Sequence, residues 1–208
     1  MKSNFIERNV EILDADGSIG VLSCILVDQE GKNWFTGGSF RRGLPVNLTD
    51  DFEGIRTVDF VAGTAPFYRR EVFDRIGLFD ENYRMYHEDV EFGLRLRAKT
   101  DYKACMFAEK LVVHYAAPSI QIPLMYYLDH RNNILILRKY CPRYLPKVLL
   151  GYTLEITRLL LASITIEMTQ LLAPYMLKSI PRLFVYMCAL GSIRGVLCGL
   201  GIHRRGAI

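Results

Sequence analysis

The rhythm of apolar and polar positions changes along the chain and divides it into zones. Residues 20–27 (GVLSCILV) form an unbroken apolar run between a glycine and an aspartate, the pattern of a strand buried on both faces. Residues 28–57 are polar and glycine-rich, with Gly37-Gly38 and Gly43-Leu44-Pro45, and read as a surface connector. Residues 58–62 make a second candidate strand, closed by Gly63. Residues 69–76 carry Val72, Phe73 and Ile76 on one side and stop at Gly77, which predicts a short helix. Residues 88–99 form the next helix, with Val90, Leu94 and Ala98 as its buried stripe and Glu91–Arg95 as an i,i+4 ion pair. The runs 103–107 and 111–115 then read as paired strands.

From about residue 140 the pattern shifts, and 145–202 is almost continuously apolar, interrupted by Lys147, Glu155, Arg158, Glu167, Lys178, Arg182 and Arg194. The stretch 159–177 nearly has the length of a membrane span. Glu167 sits at its centre, and a mid-bilayer carboxylate costs about 2.5–3.5 kcal/mol. The stretch 183–202 carries Arg194 and four glycines. Helices lying on a bilayer explain both better, with the basic residues meeting anionic headgroups. The expected organisation is therefore a domain over 1–140 and an apolar helical tail over 141–208. The tail would associate with the cytoplasmic face of the cell membrane, peripherally or at the interface.

Composition adds little to the pattern. The chain has 208 residues, half of them hydrophobic, and a net charge of only +4. Its basic residues are scattered, without the aromatic-interleaved patch that single-stranded nucleic acid needs, so nucleic acid is not an expected partner. The five cysteines form no CxxC pair and have no zinc-ligand spacing. Each sits among apolar residues, which predicts buried reduced thiols and a reducing compartment. The first residues lack the apolar core of a signal peptide.

The candidate chemistry centres on the adjacent carboxylates Glu88 and Asp89, which open a helix. Carboxylates there commonly cap the helix and meet its dipole, worth about 0.3–1 kcal/mol. Consecutive helical side chains diverge by about 100°, so one of the two is expected to face a cleft. His114 ends an apolar run, where a lone histidine reads first as a core residue. Arg131 is two residues from Asp129, a surface ion-pair partner. Leu13-Asp14-Ala15-Asp16-Gly17 spells an Asp-x-Asp, which in this context also reads as a turn before Gly17.

The succession GLFDEN at 77–82, MYHEDV at 85–90, LRLR at 94–97, VVHY at 112–115 and HRNN at 130–133 resembles the acceptor-side half of a family-2 glycosyltransferase of the GT-A type. It is similar to the rhamnosyltransferase-like enzymes of surface polysaccharide assembly. It covers roughly residues 18–140, with a looser match at 194–201. The resemblance implies an α/β, Rossmann-like partial GT-A domain followed by the apolar α-helical tail. It implies inverting transfer from a nucleotide-sugar donor to a glycan or lipid-linked acceptor. Asp89 then takes the place of the catalytic base, with Glu88 as the helix-opening or acceptor-binding partner. Gly63 and Thr64 match the glycine turn beside the acceptor, and Arg95 and Arg131 fall where substrate is contacted. His114 falls near the metal or diphosphate. The family holds Mg²⁺ or Mn²⁺ through an Asp-x-Asp in its nucleotide-binding half, and Asp14 and Asp16 are the residues here that spell it. That half is otherwise not recognisable, which implies a separately encoded N-terminal half or an upstream extension. The alternative is a non-catalytic accessory subunit of a complete transferase.

Overall fold

The computed structural model describes residues 1, 4–115, 122–172 and 182–200. It divides the chain into two compact units, Met1–Ala117 and Pro118–Ile208.

The first unit is mixed α/β. In chain order it contains α1 (Phe5–Ala15), β1 (Ile19–Val27), β2 (Asn33–Phe35), β3 (Gly37–Arg41), β4 (Leu44–Leu48), β5 (Ile55–Val58), β6 (Phe67–Tyr68), α2 (Arg70–Ile76), α3 (Glu88–Lys99) and β7 (Lys103–Val113). The main sheet runs β2-β1-β7-β5, with β6 also pairing β1, and β3–β4 form a separate hairpin. Among the described residues only β1 and β7 pair in parallel. All nine residues of β1 are buried, as its unbroken apolar run requires of a central strand.

Three expectations are corrected here. The connector 28–57 holds four strands, because tight turns at Gly31, Arg42-Gly43 and Gly54, all with positive φ, fold short polar segments back on one another. The strand expected over 58–62 ends at Val58, and the chain then bends so that Phe60 bridges to Gly38. The two runs 103–107 and 111–115 are one strand, β7. The register jumps there from Cys24↔Phe107 to Ile25↔Lys110. Residues 108–110 between them form a bulge, and Glu109 reaches Arg8 at 2.6 Å.

Helix α3 buries a wider face than its apolar stripe suggests. Glu91, Phe92, Gly93, Arg95 and Leu96 join Val90 and Leu94 inside, while Ala98 is exposed. Gly93 causes this, because a Cβ there would run into the Asp59 carbonyl and Phe60. The helix presses directly on the backbone after β5. Tyr68, Phe73, Phe79 and Phe92 complete the packing, their ring centroids lying within 6.5 Å of one another.

The second unit contains α4 (Ile122–Tyr140), a 3₁₀ turn (Pro142–Tyr144), α5 (Leu145–Leu172) and α6 (Arg182–Leu200). The boundary expected at 140/141 moves to 117/118, because α4 is the packing partner of α6. Gly195 sits against the Tyr127 carbonyl and Gly199 against that of Arg131, so the two helices approach at backbone distance. Among the described residues no helix is long and apolar enough to cross a membrane. Residues 173–177 of the stretch 159–177, together with Lys178 and Ile202, lie outside the described residues, as does the side chain of Glu167.

Candidate active site

The chain reaches α3 through a constrained loop. Gly77 ends α2 with φ 79°. Asp80 then closes an Asx turn, its Oδ1 accepting the Asn82 N–H at 3.0 Å and its carbonyl the Tyr83 N–H at 2.9 Å. Tyr83 is buried and pins the loop, while Glu81 faces solvent. Tyr86 and His87 follow with φ of 64° and 65°. Two successive non-glycine residues in the left-handed region cost about 1–3 kcal/mol each, and such strain gathers at functional sites. His87 is the N-cap of α3, and its carbonyl accepts the Glu91 N–H at 2.9 Å.

Glu88 and Asp89 emerge from this turn half-buried. Asp89 Oδ1 accepts the N–H of the next residue, Val90, at 2.8 Å in the first turn of α3, and its Oδ2 accepts the Gly63 N–H at 3.1 Å. Glu88 Oε1 lies 3.6 Å from where a Gly63 Cβ would stand, and its Oε2 is buried without a hydrogen-bond partner. Both carboxylates therefore meet at Gly63, where only one was expected to face a cleft. Gly63 and Thr64 are exposed. The seam behind Asp89, lined by Val21, Val61, Tyr68, Phe92, Gly93 and Ala104, has no room for a water molecule. The exposed Gly63–Thr64 turn lies beside the carboxylates on the solvent side.

Burial moves the titration of the acids here in one direction. Burial raises the Asp89 pKa above its ordinary value, against the pull of the Gly63 and Val90 N–H groups. Burial also raises Glu88, and the neighbouring Asp89 charge adds to it. The Tyr68 phenol, buried beside both carboxylates, is pushed up by desolvation and then by their charges. Tyr68 had no signal in the sequence, since a two-residue strand has no period to read.

The remaining expected residues lie elsewhere. Arg95 points into the core. Its Nε and Nη2 lie 3.1 and 3.0 Å from Glu91 Oε2, and its Nη1 donates to the Ile76 carbonyl at 2.6 Å. Arg131 belongs to the helical unit, where it is buried on α4 and donates to Asn132 Oδ1 at 2.5 Å, so its expected surface setting is corrected. Beside it, His130 stacks on Tyr152 and approaches Glu155 Oε2 at 3.3 Å.

The three residues expected at the metal do not form one site. Asp14 is in the last turn of α1, and Asp16 uses Oδ1 to accept the Ser18 N–H at 2.8 Å in the turn before β1. His114 follows the far end of β7, its backbone N–H bonded to Val27 at 2.7 Å. The nine residues of β1 separate the two places, roughly 26 Å of strand. Among the described residues no group of three or more His, Cys, Asp or Glu is placed to hold a metal ion. His114 stacks instead on Trp34, with ring centroids 3.8 Å apart and planes 10° from parallel. The cysteines are unpaired thiols, and burial pushes Cys24 up to about 11.

No family model matches the chain. It is similar to the O-antigen biosynthesis protein RfbC of Myxococcus xanthus, with 27% identity over 137 residues, covering 54% of this chain and 11% of that protein. It is also similar to the N-acetylglucosaminyl-diphospho-decaprenol L-rhamnosyltransferase of Mycobacterium tuberculosis, with 38% identity over 64 residues, covering 31% of this chain and 20% of that one. The chain thus spans about a tenth to a fifth of these relatives' lengths.

Proposed function

We propose that the chain is the acceptor-side, base-bearing part of a GT-A type glycosyltransferase. It transfers a sugar, rhamnose or a related hexose, from a nucleotide-sugar donor to a glycan or lipid-linked acceptor, with inversion. The observation that carries this reading is the junction at Gly63, where one backbone N–H orients Asp89 and leaves room for Glu88. An acceptor hydroxyl placed over Gly63–Thr64 gives its proton to Asp89 as its oxygen bonds to the anomeric carbon. The diphosphate leaves from the opposite face of the sugar, and that displacement inverts the centre. A positioned base of this kind contributes about 10²–10⁴-fold in rate. The raised pKa of Asp89 suits the role, because a base works best when its pKa lies near the operating pH.

Asp14, Asp16 and His114 do not fit one divalent ion, so Mg²⁺ or Mn²⁺ on the donor diphosphate would be held by residues other than this trio. A separately encoded or linked nucleotide-binding half is the partner we assign to that task. The site of action is the cytoplasmic membrane face, where lipid-linked acceptors present their sugars. The same mismatch favours a second reading, an accessory glycan-binding subunit without chemistry of its own. Sugar transfer by the full chain joined with its nucleotide-binding half, with and without Asp89→Asn, separates the two. Loss of transfer with an unchanged circular dichroism spectrum supports the base, and equal, measurable rates for both proteins remove it.

A further inference from the structure

We infer that the turn of the β3–β4 hairpin, with Arg97 of α3 beside it, binds a phosphate or diphosphate group. It uses none of the residues assigned to proton transfer. Which molecule carries the phosphate, a sugar donor or a lipid-linked acceptor, rests on the glycosyltransferase reading. The anion site itself does not.

A two-residue turn joins the strands, with Arg41 paired to Leu44 and Arg42-Gly43 between them. Both turn residues have positive φ, 54° and 87°, the conformation for which Asn-Gly is the ordinary choice. Arg42 therefore holds a place that asparagine or glycine would fill with less strain. It is exposed, and its side chain has no partner among the described residues. Strain kept for a free cation points to a ligand, since the fold gains nothing from it.

Two more guanidinium groups are fixed beside the turn through Asp59. Its Oδ2 accepts the Phe40 N–H at 2.6 Å and the Ser39 hydroxyl at 3.4 Å, and its Oδ1 accepts Arg97 Nη1. Ser39 Oγ in turn accepts Arg41 Nε at 3.0 Å. Arg41 and Arg97 thus flank one carboxylate, Arg97 directly and Arg41 through the serine. Each commits one nitrogen to this network and both are exposed, which leaves the rest of each fork to an outside acceptor. Three guanidinium groups against one carboxylate leave an excess of two positive charges, the match for a phosphate dianion or a diphosphate. Planar forks of this kind take phosphate oxygens in pairs.

The acids near the hairpin lie at its other end. Asp50, Asp51 and Glu53 follow β4 beyond the Gly37↔Leu48 pair, four residue steps from Arg41↔Leu44, or roughly 13 Å of strand. The site is also tied to the carboxylates. Asp59 leads into Phe60, which bridges to Gly38 and lies against Gly93, and the chain then reaches Gly63. Arg97 is eight residues beyond Asp89 on α3, about 12 Å along the helix. A phosphate-bearing ligand is held at the hairpin, where the cations are, and Glu88 and Asp89 are left to its hydroxyls.

The experiment is calorimetric titration of the full chain with inorganic pyrophosphate, in EDTA so that no metal mediates, with acetate as the monoanion control. Saturable binding of pyrophosphate that weakens with added salt is the expected result. Arg41→Gln and Arg42→Asn should each weaken it about tenfold. Arg42→Asn should do so with an unchanged or raised melting temperature, because asparagine suits the turn. Asp89→Asn should leave it unchanged. Tighter binding of a short isoprenyl diphosphate than of UDP assigns the site to a lipid-linked acceptor, and the reverse order assigns it to the donor. No saturable pyrophosphate binding, or unaltered affinity in both hairpin variants, would overturn the site. Pyrophosphate binding by a joined protein that transfers no sugar would sink the transferase reading and keep the site. Transfer without pyrophosphate binding would do the opposite.

Discussion

Arg95 offers the sharpest test of how this fold is held together. Its partner Glu91 is fully buried, and the two are joined by contacts of 3.1 and 3.0 Å to one carboxylate oxygen. The guanidinium also serves the Ile76 carbonyl at the end of α2 and lies over Phe92 at 5.2 Å. Arg95→Ala leaves the Glu91 carboxylate without this cation in a low-dielectric setting, a loss of about 3–5 kcal/mol for a broken buried pair. The Ile76 carbonyl loses a hydrogen bond worth about 1 kcal/mol more. Against a typical domain stability of about 5–15 kcal/mol this is a large fraction. At roughly 2 kcal/mol per molar urea it moves the midpoint down by about 2 M. Trp34 lies in the same unit, so urea unfolding followed by its fluorescence reads that unit alone. The double variant Glu91→Leu/Arg95→Met removes both charges and should recover most of the loss. A single variant that costs under about 1 kcal/mol, as an exposed pair would, refutes the reasoning. So does a double variant no better than the single one. Arg95→Ala that stays fully stable but raises the acceptor KM would return Arg95 to the substrate surface.

Further outcomes follow from the same geometry. Asp89→Asn should lower the transfer rate by about 10²-fold or more, read in steady-state assays on protein of unchanged fold. Gly93→Ala should destabilise the first unit by about 1–3 kcal/mol despite the better helix propensity of alanine, since its Cβ meets the Asp59 carbonyl; a neutral or raised melting temperature would contradict the close approach. Burial raises Glu88 and Asp89, so the fold keeps protons there that the unfolded chain releases. Their contribution is complete below the ordinary carboxylate values and is lost as pH rises through the raised ones. Glu88→Gln should therefore flatten the fall of melting temperature as pH rises above the ordinary carboxylate range, and an unchanged slope would count against it. In the helical unit burial lowers the His130 pKa while Glu155 opposes it. That contribution is present above the ordinary histidine value and fades as pH falls. Glu155→Gln should push the His130 titration lower still by NMR, and an upward move would refute the pairing.

Local chemistry made several elements readable in the chain itself. Residues 20–27 had to be a buried strand because no face of the run is polar, and Gly77 had to end α2 because the chain turns there with positive φ. The span of α3 followed from its acidic start and 3.6-residue period, and Glu88-Asp89 could be singled out from their place in its first turn. Short strands such as β2 to β5 have too few residues for a period, and their pairing partners lie across turns that a linear pattern does not join. The inward turn of Arg95 depends on Gly93, which brings α3 so close to the Asp59 backbone that even a charged flank is buried. The meeting of Asp89 with Gly63, and of Trp34 with His114, joins residues 26 and 80 positions apart. Sequence set which residues were chemically able to act. Only the parallel pairing of β1 with β7, and the packing of α3 across it, decided which of them stand together, because long-range contacts are fixed by tertiary packing and not by local propensity.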